Sequence, residues 1–188
     1  HKVEEIETAL NFEGWEFKSL KDAGLVSDPE ESGTTFLENA RIKARAAHEL
    51  ACAAVLADDS GLIVDALDGA PGVYSSRYSG VDGDDSANNA KLLRELSAVP
   101  LAKRTARFAS VLVFIDEDGL ETVAEGFVEG RIGLVERGEH GFGYDPLFFP
   151  DAYNGEFTMA ELTQSQKNAI SHRGNALREL RKKLHPSD

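Results

Sequence analysis

Residues 111–115, Val-Leu-Val-Phe-Ile, are apolar without a break, and they close a strand-like stretch that starts at Thr105. In extended chain successive side chains point to opposite faces, so a strand that is apolar on every residue is expected to be covered on both sides. The stretch is followed by Asp118-Gly119, a strong hairpin signal, and by a second strand over 120–126. A buried hairpin flanked by helical patterns indicates an α/β unit.

Those helical patterns lie on both sides of the hairpin. Val3, Ile6 and Leu10 recur at helical spacing and Gly14 follows, so an amphipathic helix opens the chain. Opening in mid-helix, with no Met, points to a natural segment preceding His1. Residues 24–33 read as an acidic loop, and Thr35-Phe36-Leu37-Glu38 has the pattern of a capping box that starts a helix running through Ala54. Val55-Leu56-Ala57 is a short buried strand expected to end at Asp58-Asp59-Ser60-Gly61, with a second strand over 62–67. A glycine-punctuated loop covers 68–83, a helix 85–96, and an apolar stretch 131–135 precedes a glycine loop over 138–143. The last helix is expected over 171–184, with Ala176, Leu177, Leu180 and Leu184 on its buried face. There is no internal repeat, and no linker long enough to separate independent domains.

Composition removes several classes of function. Hydrophobic residues at 41% and charged residues at 28% are ordinary for a soluble globular chain. No apolar run approaches the ~20 residues of a membrane-spanning helix. The net charge of −13, from 33 acidic and 20 basic residues, argues against a nucleic-acid surface, which needs clustered Lys and Arg. A small phosphorylated ligand is still allowed, because a few local donors and a metal ion can hold it. The lone Cys52 excludes an internal disulfide, fits a reducing cytoplasm, and reads as a small buried apolar residue.

Charge at the ends of buried elements marks candidate chemistry. Asp58 and Asp59 are neighbours in extended chain, so one can aim at a ligand while the other braces the turn. Mg²⁺ typically takes one or two protein carboxylates. Equally, both could be turn caps, and Glu38 could serve its own helix start instead of a metal. Lys167, His172 and Arg173 are expected together at the start of the last helix, where positive charge is unfavourable by ~0.3–1 kcal/mol per charge and therefore hints at binding phosphate or carbonyl oxygens. The alternative is that these side chains splay into solvent. In Gly141-Phe142-Gly143-Tyr144-Asp145, glycines allow close approach and Phe142 can lie flat on a base; the alternative is an aromatic corner packed into the core.

Five runs taken together resemble the inosine triphosphate pyrophosphatase family, in its order and at its spacing. They are Thr35-Phe36-Leu37-Glu38-Asn39-Ala40 with Lys43-Ala44; Ala57-Asp58-Asp59-Ser60-Gly61-Leu62; Gly69-Ala70-Pro71-Gly72-Val73-Tyr74-Ser75 with Arg77-Tyr78; Gly141-Phe142-Gly143-Tyr144-Asp145-Pro146; and Glu161-Leu162 through Lys167 to Ser171-His172-Arg173. The resemblance implies an elongated mixed β-sheet with flanking helices, two lobes around a central cleft, and a homodimer. It implies that residues 1–188 form a single nucleotide pyrophosphatase domain, with the family's first strand and the start of its phosphate loop missing. It further implies Mg²⁺-dependent hydrolysis of ITP, dITP and XTP to monophosphate and pyrophosphate. Carried over by position, Glu38 and Asp59 become Mg²⁺ ligands and Asp59 also the base for the attacking water. Lys2 is the last residue of a Thr-x-Asn-x-x-Lys triphosphate loop, and Ser60 touches phosphates. Phe142 stacks on the purine, Gly143, Tyr144 and Asp145 shape its pocket, Lys167 holds phosphate or base, and His172 and Arg173 contact the base, with Arg77 a further candidate. Two other functions compete: a related pyrophosphatase acting on pyrimidine or modified nucleotides, and a catalytically silent nucleotide-binding module.

Overall fold

Strand β2, Thr105–Ile115, carries the apolar run, and its alternate side chains do go to opposite faces. Leu112 and Phe114 pack with Leu10 of α1 (Lys2–Leu10) and with Ala176, Leu177 and Leu180 of α5 (His172–Leu184). Val113 and Ile115 pack with Ala40 and Ala44 of α2 (Phe36–Ala51). Each fully buried Leu or Phe in such a layer contributes about 1.5–3 kcal/mol, which is why the both-faces rule is obeyed. The computed structural model from which these contacts come describes residues 2–185.

β2 lies between β1 (Val55–Val64) and β3 (Glu121–Ile132), and β4 (Phe148–Pro150) completes a four-stranded sheet in the order β1-β2-β3-β4. The start of β2 meets the end of β1 through Thr105 Oγ1, which donates to Asp65 at 2.6 Å. The ends of β2 and the start of β1 share the Val113, Ile115, Val55 and Ala57 cluster, so the two strands run antiparallel. Asp116 and Leu120 close the hairpin into β3, which pairs antiparallel with β4 in the register Gly130 to Pro150, Arg131 to Phe149 and Ile132 to Phe148. The described strands pair antiparallel, and with the helices flanking them they make the α/β sheet architecture expected from the sequence.

The chain divides into two compact units. One comprises residues up to Asp59, Ser110–Gly126 and the chain from Arg173; the other comprises Ser60–Ala109 and Phe127–His172. The first holds the two clusters on either face of β2 just described. The second has its own core, in which Leu62, Val64, Leu92, Leu96, Phe108, Phe148 and Leu162 are among the buried residues. No helix among the described residues is long and apolar enough to cross a membrane.

Several boundaries differ from the sequence reading. α2 ends at Ala51, not Ala54, because Cys52 takes the left-handed conformation (φ 50°) that closes a helix. That position lies past the buried face, so Cys52 is exposed and not the buried apolar residue expected of it. α1 stops at Leu10, where Asn11 rather than Gly14 makes the first left-handed turn (φ 43°). Residues 55–64 are one strand, so Asp58, Asp59 and Ser60 sit inside β1 and not at its end. β3 likewise runs on through Ile132, absorbing the first two residues of what read as a separate stretch.

Candidate active site

Because Asp58 and Asp59 are consecutive in a strand, their side chains leave on opposite faces, and each meets a different cation. Asp58 Oδ2 accepts from Arg173 Nη2 at 3.0 Å and Nε at 3.2 Å, and Arg173 also reaches Glu5 of α1 at 3.4 Å. Asp59 Oδ1 accepts from Lys43 Nζ of α2 at 2.8 Å, and Lys43 leans on Glu31 at 3.5 Å. Asp59 Oδ2 is buried and has no hydrogen-bond partner among the described residues. Burial raises the Asp59 carboxyl above the usual range; Lys43 opposes that rise, and the negative charge of Glu31 adds to it. Asp58 is thus braced by a guanidinium, while Asp59 keeps Oδ2 without a hydrogen-bond partner among the described residues.

Glu38 does what a capping-box residue does. Thr35 Oγ1 accepts from Glu38 N at 3.1 Å, while Glu38 Oε2 accepts from Thr34 N at 2.6 Å, Thr34 Oγ1 at 2.9 Å and Thr35 N at 3.2 Å. These donors, Thr34 N–H first, hold its carboxyl below the ordinary glutamate value. All three bonds fall on Oε2 and none on Oε1. Among the described residues no group of three or more His, Cys, Asp or Glu side chains gathers around one point.

The aromatic loop belongs to the second unit and is built around Asp145. Asp145 Oδ2 accepts from Phe142 N at 3.1 Å and pairs with Lys167 Nζ at 2.6 Å, both side chains of the pair being nearly buried. A Cβ on Gly141 would collide with the Asp145 carboxylate and with Lys167, and Gly141 has φ 88°, so glycine is required there on both counts. Gly143 donates to Asp85 Oδ2 at 2.7 Å and accepts from buried Asn89 Nδ2 at 3.0 Å, which ties the loop to α3 (Asp85–Glu95). Tyr144 is buried and donates its hydroxyl to Ser75 O at 2.7 Å. Phe142 alone is left out, 75% exposed, with Lys167 Nζ 5.6 Å from its ring centroid. The alternative of a core-packed aromatic corner therefore fails for Phe142 and holds for Tyr144.

The basic cluster is not one cluster. Lys167 lies in the last turn of a separate seven-residue helix, α4 (Gln164–Ile170), where a cation suits the helix dipole instead of opposing it. The Thr163-x-x-Gln166 capping box was its unread sequence signal. His172 and Arg173 do open α5, as expected. His172 stacks on Phe108 with ring centroids 5.3 Å apart. Arg173 is compensated by Asp58 and Glu5, so its position at a helix start carries no unmet charge. Ser60 follows Asp59 in β1, Arg77 ends a 3₁₀ turn with its guanidinium over the Tyr74 ring, and the Lys2 side chain lies outside the described residues. Sequence reasoning gave no role to Lys43, Asn39, Asp85 or Asn89. The signal for the first two was available, since Asn39 and Lys43 are polar residues one turn apart on the alanine face of α2.

The model of the Ham1 family matches residues 1–183. A dITP/XTP pyrophosphatase of Exiguobacterium sibiricum is 49% identical over 179 residues, 95% of this chain and 89% of that protein. A dITP/XTP pyrophosphatase of Bacillus subtilis is 48% identical over 184 residues, 97% of this chain and 91% of that protein. The Staphylococcus aureus Ham1 protein structure superposes with a TM-score of 0.90 at 38% identity, covering 100% of this chain and 94% of that one. A HAM1 protein structure from Coxiella burnetii gives 0.89 at 40% identity, covering 99% and 94%. With its motifs, its fold and nearly its full length shared in this way, the chain belongs to the Ham1 family.

Proposed function

We propose that this protein hydrolyses non-standard purine nucleoside triphosphates (dITP, ITP and XTP) to the monophosphate and pyrophosphate. The observation that carries the reading is Asp59: a part-buried carboxylate with one oxygen anchored by Lys43 and the other uncommitted, in a chain about half identical to dITP/XTP pyrophosphatases. Asp59 Oδ2 accepts a proton from water, the hydroxide attacks the α-phosphorus, and the α–β anhydride bond breaks to release pyrophosphate. Lys43 holds the carboxylate still during the transfer, and burial acts to raise the carboxyl.

The residues present fit a divalent cation, for which we propose Mg²⁺. Asp59 Oδ2 is a buried oxygen in want of a partner, Glu38 keeps Oε1 outside its cap, and Mg²⁺ needs only one or two protein carboxylates. When bound, such an ion neutralises phosphate charge and polarises the phosphorus. Phe142 offers an exposed ring for base stacking, and the Lys167–Asp145 pair beside it supplies polar groups for a base edge. Donors aimed at a 6-keto oxygen would meet the amino group of adenine and be left unpaired, which can discriminate by ~10⁴ or more. His172 and Arg173 contact the base in this reading, Lys2 and Ser60 the phosphates. A homodimer in the cytoplasm belongs to the same reading, with light scattering as the check on the dimer.

Pyrophosphate release from ITP, XTP, dTTP, UTP and ATP with Mg²⁺ and with EDTA tests the proposal. Metal-dependent turnover of ITP and XTP well above the other three is expected. Preference for dTTP or UTP would move the assignment to pyrimidine nucleotides, and binding of ITP without turnover would make the protein a silent module.

A further inference from the structure

Both peptide groups that flank Gly143 are held by one helix. The Gly143 N–H donates to Asp85 Oδ2 at 2.7 Å, and the Gly143 carbonyl accepts from Asn89 Nδ2 at 3.0 Å. Asp85 and Asn89 are one turn apart in α3, and so on one helical face. Because a carbonyl can only accept, the Asn89 amide is oriented with Nδ2 toward Gly143. The two bonds restrain both soft dihedrals of a residue that packing cannot restrain: Gly143 has φ 60°, and nothing lies within 4 Å of the place a Cβ would take. The exposed Phe142 is thereby held on its C-terminal side by α3, and on its N-terminal side by its own N–H, which donates to Asp145 Oδ2 at 3.1 Å.

Asn89 is a costly residue for the place it occupies. It is buried inside a helix, where asparagine is a poor helix former and has no end to cap. Its Oδ1 is buried with no hydrogen-bond partner among the described residues. The adjacent Asn88 is satisfied at both ends, accepting from Ser79 N at 2.7 Å and donating to Ser76 O at 3.0 Å. A leucine at 89 branches at the same carbon and would leave no buried acceptor unmet. What leucine cannot do is hold a backbone carbonyl 54 residues along the chain, and a feature that opposes local stability points to function. Gly143 is only part-buried, so water can satisfy its carbonyl and the bond serves placement more than satisfaction.

We propose that Asn89 is a positioning residue for purine recognition: through the Gly143 carbonyl it sets the direction in which the Phe142 ring is presented to the base. The inference rests on the reading of Phe142 as the stacking ring, with Asp85 as the counterpart of Asn89 on the N–H side. Asn89 acts through the loop and not on the phosphates, so its loss weakens binding and spares the chemical step. A ring released to sample many directions is competent only part of the time, and apparent affinity falls by that fraction.

Steady-state hydrolysis of ITP by the parent, Asn89→Leu, Phe142→Ala and the double variant, with thermal melts of each, tests the proposal. Asn89→Leu is expected to raise KM about 5- to 20-fold with kcat within about threefold of the parent, and to melt within about 3 °C of it. In the double variant KM stays within about twofold of Phe142→Ala alone, because a missing ring needs no aiming. An unchanged KM for Asn89→Leu overturns the proposal, and so do KM effects that multiply in the double variant. Loss of stability with kcat and KM worsening together marks a merely structural asparagine and overturns it too. Should Asn89→Leu fail to fold, Asp85→Ala changes an exposed side chain, frees the N–H side of the same glycine, and is held to the same KM criteria. A parent inactive on ITP, or an unchanged KM for Phe142→Ala, removes the underlying reading together with the proposal. An active parent and a raised KM for Phe142→Ala beside an unchanged Asn89→Leu remove only the role given to Asn89.

Discussion

Lys43 Nζ holds Asp59 Oδ1 at 2.8 Å and leaves Asp59 Oδ2 buried without a partner among the described residues. One side chain thereby fixes the direction of the carboxylate and keeps its second oxygen for chemistry. The neighbouring carboxylate has no such reserve on Oδ2, because two guanidinium nitrogens of Arg173 occupy it.

That contrast makes a paired prediction. Asp59→Asn loses at least about 10²–10⁴-fold in pyrophosphate release while remaining folded, since the proposed general base and cation ligand is replaced by a side chain of the same shape. Asp58→Asn instead costs about 1–3 kcal/mol of stability, below the roughly 3–5 kcal/mol of a fully buried broken pair because the Arg173 and Asp58 side chains are 15% and 24% exposed. Steady-state kinetics and denaturant melts on both variants check this, and an active Asp59→Asn removes Asp59 as the base.

Phe142→Ala leaves thermal stability almost unchanged, because the ring is 75% exposed. The KM for ITP rises about 5- to 150-fold, the equivalent of losing about 1–3 kcal/mol of base stacking. An unchanged KM would show that the ring does not touch the base.

The Glu161 carboxyl caps its own turn and meets Arg137. Thr158 N–H, its strongest influence, holds the pKa below the ordinary 4.5, with Arg137 acting in the same direction. The unfolded chain binds that proton more readily, so the stabilisation is fully present above about pH 4.5 and is lost as pH falls through the depressed value. Glu161→Gln therefore melts slightly below the parent at pH 7, by under about 1 kcal/mol, because Arg137 across the pair is 43% exposed. The gap closes as the pH falls below that depressed value. Melting curves at pH 7 and in acid measure it, and a gap that widens in acid contradicts the assignment.

Leu177 of α5 is completely buried against Leu112 and Phe114 of β2. Leu177→Ala costs about 2–5 kcal/mol, the transfer of the side chain plus the cavity it leaves. Urea titration gives the value directly, and a cost under about 1 kcal/mol would mean the layer collapses to fill the space.

Much of the fold was legible because its signals are local. The apolar run of β2 demanded cover on both faces and has it, with Leu112 and Phe114 on one side and Val113 and Ile115 on the other. The Thr35–Glu38 capping box, the Asp118-Gly119 hairpin and the buried face of α5 were equally readable, each being a pattern within a few residues. What failed was punctuation. Two aspartates and a glycine read as the end of a strand, yet β1 runs straight through them, since pairing to β2 outweighs the poor strand propensity of Asp and Gly.

By itself the sequence determined which residue types were available: the acidic pair at Asp58 and Asp59, the glycine-framed Phe142, and the cations from Lys167 to Arg173. Only the tertiary structure decided what each one does. Partners 16, 22 and 115 residues away assigned Asp59 to Lys43, Asp145 to Lys167 and Asp58 to Arg173. A charge is committed or kept in reserve according to what lies within about 3 Å of it, and for these groups that neighbour is set by chain folding and not by spacing along the chain.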